Sequence, residues 1–265
     1  MASPAAPRAN HWARYHQHWQ RLRPPLRPSA EVVAAITELS QGRSPCALLG
    51  VTPELAGLAG DWTALDRDPN MIAALWPGDQ ATRRALLGDW LNFPEALNEL
   101  ELVVGDGALN VLPDALAHRA LLRELQRVLA PNGRAVLRVF LRPAAPQAPG
   151  VVVETASRSL SFHGFKWRLA MALCAERQTM SLPVCELLGA FHARVADPAP
   201  WMQRHGWDPA DLASISVYAE SAEIYSFPSR AELEASVPSG LRLHWLKVAG
   251  YELAARCPLA ILDRI

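Results

Sequence analysis

Three aspartates in the first half of the chain follow short apolar runs, and their carboxylates are candidates for binding a ligand. Asp66 ends one run, Asp89 comes two residues after a second, and Asp106 follows a third. A carboxylate accepts hydrogen bonds from two vicinal ribose hydroxyls, from an adenine amine or from an ammonium group. The type and spacing of these residues therefore predict a site that recognises donor groups on a small molecule.

The elements that must position the aspartates are short buried strands. Five apolar runs alternate with helical patterns, at residues 46–50, 62–66, 84–87, 102–104 and 135–140. Strands that alternate with helices form a parallel sheet with right-handed crossovers, so their carboxyl ends lie along one edge. Ligands bind at that edge in open parallel sheets. We therefore expect Asp66, Asp89 and Asp106 to meet there, and runs at 241–247 and 259–262 to complete the same sheet.

The residues between these runs carry turn and cap chemistry that suits a ligand. Gly50 lets a ligand approach the backbone after the first run. Thr52 and Pro53 are an N-cap residue and a first-turn proline, so they predict a helix whose free N–H groups and dipole suit a carboxylate or phosphate. Asp68, also followed by proline, repeats this pattern. Trp90 offers a flat ring on which an adenine can stack.

The stretch 47–140 resembles the core of the class I S-adenosylmethionine-dependent methyltransferases. The motifs that carry the resemblance, in chain order, are LLGVTPEL (48–55), ALDRDPNM (64–71), GDW (88–90), LVVGDG (102–107) and LRELQRVLAPNGR (122–134). Members of this family commonly have several glycines after the first strand, whereas this chain has Gly50 and then Gly57. We therefore expect a tighter or differently shaped loop there.

The resemblance implies a fold, a cofactor and a set of cofactor-binding residues. The fold is α/β, with a Rossmann-like, mostly parallel, seven-stranded sheet and helices on both faces. The cofactor is S-adenosylmethionine. The implied binding residues are Gly50, Thr52, Asp66, Arg67, Met71, Asp89, Trp90, Gly105, Asp106 and Gly107.

Four segments make up the predicted organisation of the chain. Residues 1–44 form an N-terminal helical lid, and residues 45–143 form the Rossmann-like cofactor-binding core. Residues 144–228 form a helical cap, which the resemblance places over the acceptor as a substrate insertion. Residues 229–265 supply the last helix, which begins at the capping box of Ser229 and Glu232, and two strands that complete the sheet.

Methyl transfer from a sulfonium needs mainly orientation, because the donor is already activated. The nucleophile must lie about 3 Å from the methyl carbon, in line with the breaking bond. An N–H or O–H nucleophile can also need a base, and histidine titrates near neutral pH, so His163 and then His192 are the candidate bases. Candidate contacts to the acceptor are Tyr15, Trp19, Trp167, Arg168, Tyr218 and Tyr225. For those in the cap, a hydrogen-bonded core role is the competing interpretation.

Composition narrows the class of partner. The 26 basic and 26 acidic residues balance, which gives no electrostatic reason to bind nucleic acid. No apolar stretch of about 18 residues indicates a membrane span, residues 1–10 lack a secretory signal, and no metal-ligand cluster is visible. The four cysteines form no CxxC pair and fit a reducing cytosol. Arginine-rich, proline-rich composition favours a bacterial source.

We therefore predict a cytoplasmic enzyme, a monomer or homodimer, that methylates a nitrogen or oxygen of a small, partly apolar molecule without a metal. Three alternatives stay open. An NAD-dependent dehydrogenase would share the acid after the second strand but would normally show G-x-G-x-x-G after the first. An aminopropyl transferase would bind the decarboxylated cofactor and would usually need further acids. A non-catalytic module would bind S-adenosylmethionine without turnover.

Overall fold

A seven-stranded sheet forms the centre of the molecule. The structure, a computed structural model, describes residues 11–265 apart from the side chains of Ala13 and Tyr15. Its strands are β1 (Cys46–Leu49), β2 (Trp62–Asp66), β3 (Arg83–Leu87), β4 (Leu100–Asp106), β5 (Leu129–Arg138), β6 (Ser181–Pro183), β7 (Ile224–Ser226), β8 (Leu241–Leu246) and β9 (Leu259–Arg264). Seven of them join in the order β3-β2-β1-β4-β5-β9-β8. The first five run parallel and β9 runs antiparallel to both of its neighbours, which confirms the predicted sheet.

Helices cover both faces of this sheet, as predicted. They are α1 (His11–Tyr15), α2 (Ala30–Ser40), α3 (Pro53–Ala56), α4 (Pro69–Leu75), α5 (Ala115–Val128), α6 (Pro149–Glu154), α7 (Phe162–Glu176), α8 (Val184–Arg194), α9 (Pro198–His205), α10 (Pro209–Ala213) and α11 (Arg230–Glu234). Leu125 of α5 packs in the core on one face, and Ile36 of α2 packs in the core on the other. Short 3₁₀ turns include His16–Arg21 and Ser214–Tyr218.

Local cap chemistry sets where these helices begin. Asp68 accepts hydrogen bonds from the backbone N–H groups of Asn70 and Met71, and the capping box of Ser229 and Glu232 forms as predicted. Thr52, in contrast, makes no side-chain cap. Helix α3 has a single turn of four residues, and Gly57 follows it. The helix expected after Thr52 is therefore present, but it is only one turn long.

The segment between β5 and α11 is mainly helical but also contains an antiparallel pair that the helical pattern did not predict. Strands β6 and β7 pair Leu182 with Tyr225, and both side chains are buried. Helix α7 is buried along most of its length, with Phe162 and Phe165 in the aromatic core of this segment. Among residues 11–265, none of the helices has the length and apolarity needed to cross a membrane.

Candidate functional site

A cleft opens at the carboxyl-terminal edge of the sheet, where β1 to β4 end. The empty space inside it, counted together with its open mouth, is about 890 Å³. Nine of the ten predicted cofactor-binding residues line it: Gly50, Thr52, Asp66, Arg67, Met71, Asp89, Trp90, Asp106 and Gly107. The other described lining residues are Trp12, Trp19, Leu49, Val51, Asp68, Leu75, Leu91, Val111 and Leu112.

Gly105, the tenth, lies inside the sheet packing instead of on the cleft surface. A Cβ at this position would lie 3.0 Å from Leu137, 3.1 Å from Ala108 and 3.2 Å from Leu49. The residue is a glycine because neighbouring side chains fill the space where a side chain would go, and it does not line the cleft with the other nine.

Asp66 lies at the end of β2 and is 8% exposed. Its Oδ1 accepts a hydrogen bond from the backbone N–H of Asp68 at 2.9 Å. Its Oδ2 lies 3.7 Å from the point where a Cβ would sit on Gly50. Burial raises the pKa of Asp66 to about 6, and the N–H of Asp68 opposes that rise. A ligand that donates hydrogen bonds to Oδ2 would favour the ionised carboxylate.

Trp90 lies across the ends of β1 and β2. Its indole N–H donates to the backbone carbonyl of Leu65, and its ring lies 3.6 Å from the Cβ position of Gly50. Gly50 itself has φ +86°, a left-handed conformation. The glycine therefore makes the turn after β1, and Trp90 supplies a flat apolar surface directly above it.

The remaining charged residues at this edge have structural partners of their own. Asp89 is exposed, and its Oδ1 accepts from the N–H of Leu91 at 2.9 Å. The exposed guanidinium of Arg67 lies 3.5 Å from Glu223. Both residues therefore line the cleft and also have a structural role. Asp89 stabilises a turn, and Arg67 connects two separate segments of the chain.

Asp106 is engaged by a residue that the sequence analysis missed. Arg138, at the end of β5, donates through Nε to Oδ1 and through Nη2 to Oδ2 of Asp106, the second bond being 2.9 Å long. Asp106 was expected to be available to an ammonium group, but two of its acceptor sites are already occupied. The sequence did hold a signal, because Arg138 is the one charged residue in the apolar run 135–140.

The N-terminal segment covers the cleft with aromatic side chains. Trp19, predicted to contact the acceptor, is 8% exposed and lines the cleft together with Trp12. Helix α1 contacts both α4 and the Ser214–Tyr218 turn, so the segment bridges the two sides of the cleft. The side chain of Tyr15, another predicted contact, lies outside the described residues.

Neither candidate base lines the described cleft. The side chain of His163 on α7 is fully buried, and its Nε2 lies 3.7 Å from Asp211. Burial, helped by the nearby charge of Lys166, lowers the pKa of His163 to about 3, which makes it a weak base. His192 is exposed on α8. The structure therefore does not bring either imidazole to the predicted site.

The other four candidate contacts are part of the core behind the cleft. Trp167 packs edge-on against Phe140, Tyr225 and Phe227, at ring separations of 5.4–5.8 Å. Arg168 donates to Thr155, Ser159 and Gln147. Tyr218 and Tyr225 are buried, and the Tyr225 hydroxyl lies 3.0 Å from His11. The same aromatic face that made these residues candidates is the face that the cap helices bury.

Comparisons with known proteins agree with this architecture. No protein-family model matches the chain, and no curated protein matches it either. The CcbJ methyltransferase from Streptomyces caelestis is 11% identical, with a TM-score of 0.58 over 98% of this chain and 99% of that one. S-adenosylmethionine-bound CalS10, an amino pentose methyltransferase from Micromonospora echinaspora, is 15% identical, with a TM-score of 0.51 and 89% coverage of each chain.

A putative Zn-dependent alcohol dehydrogenase from Rhodobacter sphaeroides is also similar: it is 13% identical, with a TM-score of 0.59 over 97% of this chain and 99% of that one. Within residues 11–265, no three His, Cys, Asp or Glu side chains are grouped so that they could hold a metal ion. Likenesses at these identities show the fold alone, a Rossmann-like α/β fold that this chain shares with the two methyltransferases.

The left-handed turn at Gly50 generates a stability prediction. Gly50→Ala should lower the free energy of unfolding by about 1–2 kcal/mol, because a side chain disfavours φ +86°. Gly57→Ala is the matched control, since Gly57 has φ −90° and nothing within 4 Å of its Cβ position. Urea denaturation measures both. Equal losses in the free energy of unfolding of the two variants would contradict this prediction, because they would show that a side chain at position 50 does not strain the turn.

Proposed function

We propose that the protein binds S-adenosylmethionine in the cleft and transfers its methyl group to a small-molecule acceptor. The observation that carries this proposal is the acidic character of the cleft. Four aspartates, Asp66, Asp68, Asp89 and Asp106, line the cleft with one arginine, Arg67, and a second arginine, Arg138, pairs with Asp106 from behind, so the acids still exceed the arginines by two. S-adenosylmethionine has a sulfonium and an ammonium group against a single carboxylate, so its net positive charge complements this surface.

The order of residues along the sheet edge matches the parts of an adenosyl amino acid. Trp90 follows β3, Asp66 ends β2, Gly50 follows β1 and Asp106 ends β4, in adjacent positions of the sheet. Neighbouring strands are about 4.8 Å apart. Adenine would stack on Trp90, the ribose hydroxyls would donate to Asp66, and the amino-acid end would lie between Gly50 and Asp106.

The described residues provide orientation and exclude water. Bound S-adenosylmethionine would supply a methyl group that its sulfonium already activates for transfer to the acceptor. Trp12 and Trp19 cover the cleft, which shields the reacting atoms from solvent. No histidine lies among the cleft's described lining residues. Placement of the acceptor in line with the breaking bond is therefore the main contribution of this chain.

The apolar wall of the cleft supports a small, partly apolar acceptor. Trp12, Trp19, Leu75, Val111 and Leu112 contribute it. CalS10, one of the similar structures, acts on an amino pentose, which is also a small molecule. We propose a nitrogen or oxygen atom of such an acceptor as the methyl-receiving atom, with no metal ion in the transfer.

A dinucleotide fits the cleft less well. NAD carries a negatively charged pyrophosphate, which the lining aspartates other than the paired Asp106, namely Asp66, Asp68 and Asp89, would repel. The glycine-rich pattern G-x-G-x-x-G is not present after β1, and the single turn of α3 supplies no extended helix N-terminus for phosphate. The dehydrogenase alternative is therefore the weaker one, despite the alcohol dehydrogenase among the similar structures.

Isothermal titration calorimetry tests the proposed cofactor directly. S-adenosylmethionine and S-adenosylhomocysteine should bind, and NAD should not, because of the charge and order of the cleft residues. Binding of NAD alone would reject the proposal. Methyl transfer is then measured with a panel of small amines, phenols and hydroxy compounds. Tight cofactor binding without turnover across the panel would favour a non-catalytic binding module.

Asp66→Ala should weaken S-adenosylmethionine binding by at least about 1.5 kcal/mol, since the ribose hydroxyls lose a charged acceptor. Asp61→Ala is the matched control, because Asp61 precedes the opposite end of β2 and does not line the cleft. Calorimetry measures both variants. Unchanged affinity in Asp66→Ala would remove Asp66 from the binding site.

Cofactor affinity should also depend on pH. The pKa of Asp66 is raised to about 6, mainly by burial, with Asp68 and Arg67 as the nearest charged groups. Because the ionised carboxylate is the better acceptor, S-adenosylmethionine should bind more tightly as pH rises from 5 to 7, with a midpoint near 6. Asp66→Asn should flatten the profile between these pH values, and an unchanged profile in that variant would assign the titration to another group.

A further inference from the structure

An ion pair borders the cleft at the ends of β4 and β5. Asp106 and Arg138 are register partners on these parallel strands. The Arg138 side chain is fully buried, whereas the Asp106 side chain is 4% exposed and lines the cleft. Asp106 therefore faces the cleft, where a ligand can contact it, and Arg138 lies directly behind Asp106.

The surroundings of Arg138 make this pair a neutral unit. Among the described residues, Asp106 is the only acid that forms an ion pair with Arg138. Its guanidinium lies 5.1 Å from the ring centre of Phe140 and 6.0 Å from that of Tyr251. Burial raises the pKa of both Tyr251 and Cys257 to about 12, so these groups are uncharged at neutral pH. Burial opposes the charge of Arg138, but the attraction of Asp106 outweighs it and raises the pKa of Arg138.

The backbone limits the freedom of Asp106. The N–H of Gly107 donates to the carbonyl of Arg138 at 3.0 Å, and Gly107 has φ +66°. A Cβ at Gly107 would lie 3.2 Å from the ring of Phe140. A carboxylate has about four acceptor sites, and Arg138 occupies two of them. The two remaining acceptor sites of Asp106 are therefore held in a fixed direction, in which they can accept from a donor in the cleft.

We propose that Arg138 is a positioning residue that makes the cleft select a zwitterionic amino-acid end over a purely cationic one. This inference rests on the proposed function. Asp106 is two strands from Asp66, roughly 10 Å at the usual strand spacing, which the amino-acid arm of S-adenosylmethionine can span from the ribose. The carboxylate of Asp106 accepts a hydrogen bond from the ligand's ammonium group. The guanidinium behind it cancels the repulsion between Asp106 and the ligand's own carboxylate.

Decarboxylated S-adenosylmethionine and 5′-methylthioadenosine are the probes that isolate this effect. The first lacks the carboxylate, and the second lacks the whole amino-acid arm. In Arg138→Met, S-adenosylmethionine should bind about tenfold more weakly, because Asp106 is misoriented and its charge is no longer cancelled. The decarboxylated cofactor should lose less than about threefold, and 5′-methylthioadenosine should stay within about twofold of wild type. Calorimetry measures all three ligands.

Three further variants keep the test independent of folding. Removing one partner of a buried ion pair leaves an uncompensated charge, so Arg138→Met can fail to fold. The double variant Asp106→Asn/Arg138→Met removes both charges and should still lose S-adenosylmethionine affinity while it retains 5′-methylthioadenosine. Arg138→Lys keeps the positive charge and should retain the preference for the carboxylated ligand. Arg134→Met breaks another pair of β5, in which Arg134 lies 2.6 Å from Asp263, and should leave the preference unchanged.

The outcomes separate this inference from the proposed function. Equal weakening of all three ligands would reduce Arg138 to a structural role and overturn the inference. An unchanged preference for the carboxylated cofactor in Arg138→Met would also overturn it, as would a loss of 5′-methylthioadenosine binding in the double variant. Failure of the wild-type protein to bind S-adenosylmethionine would reject the proposed function itself, and this inference with it.

Discussion

Parallel pairing of β1 with both β2 and β4 is the constraint on which the cleft depends. Leu49 pairs with Leu65 on one side and with Gly105 on the other, so Gly50, Asp66 and Asp106 follow at the same height. Side chains alternate between the faces of a strand, and a slip of one residue would turn an aspartate to the other face. The apolar side chains of β1 and β2 are buried, and they resist such a slip because each already packs in a core.

The two acids that flank β1 are accommodated in different ways. Burial of a carboxylate costs free energy unless the charge is paired or hydrogen-bonded. Asp66 accepts a short-range hydrogen bond from the backbone N–H of Asp68, and its pKa remains raised. Asp106 receives both donors of a bidentate guanidinium. A ligand can therefore relieve the burial of Asp66 by donating hydrogen bonds, whereas at Asp106 it meets a carboxylate whose charge and direction are already set.

Aromatic packing closes the site from the other side. Trp12 and Trp19 lie between the sheet edge and the cap, and a dense set of rings that includes Phe162, Phe165 and Trp167 fills the cap behind them. Such a core holds polar side chains only in neutral or paired form. His163 is the clearest example, because burial lowers its pKa far below neutrality. The cap therefore shapes the site and excludes water from it, rather than contributing titratable groups.

Local patterns were enough to predict the seven strands of the main sheet, the N-caps at Asp68 and Ser229, and the meeting of Asp66 with Asp106 at one edge. Strand burial, cap chemistry and parallel crossovers are short-range or topological rules, which is why the sequence was sufficient for them. Contacts between distant segments decided the rest. Arg138 reaches Asp106 only through the register of β4 with β5, and Gly105 is required by side chains from three other positions. His163 and Trp167 were candidates for the site from their residue types, yet the packing of helices from separate parts of the chain buried them. A residue's type shows which chemistry it can do, but its burial and its partners come from segments far away in the sequence.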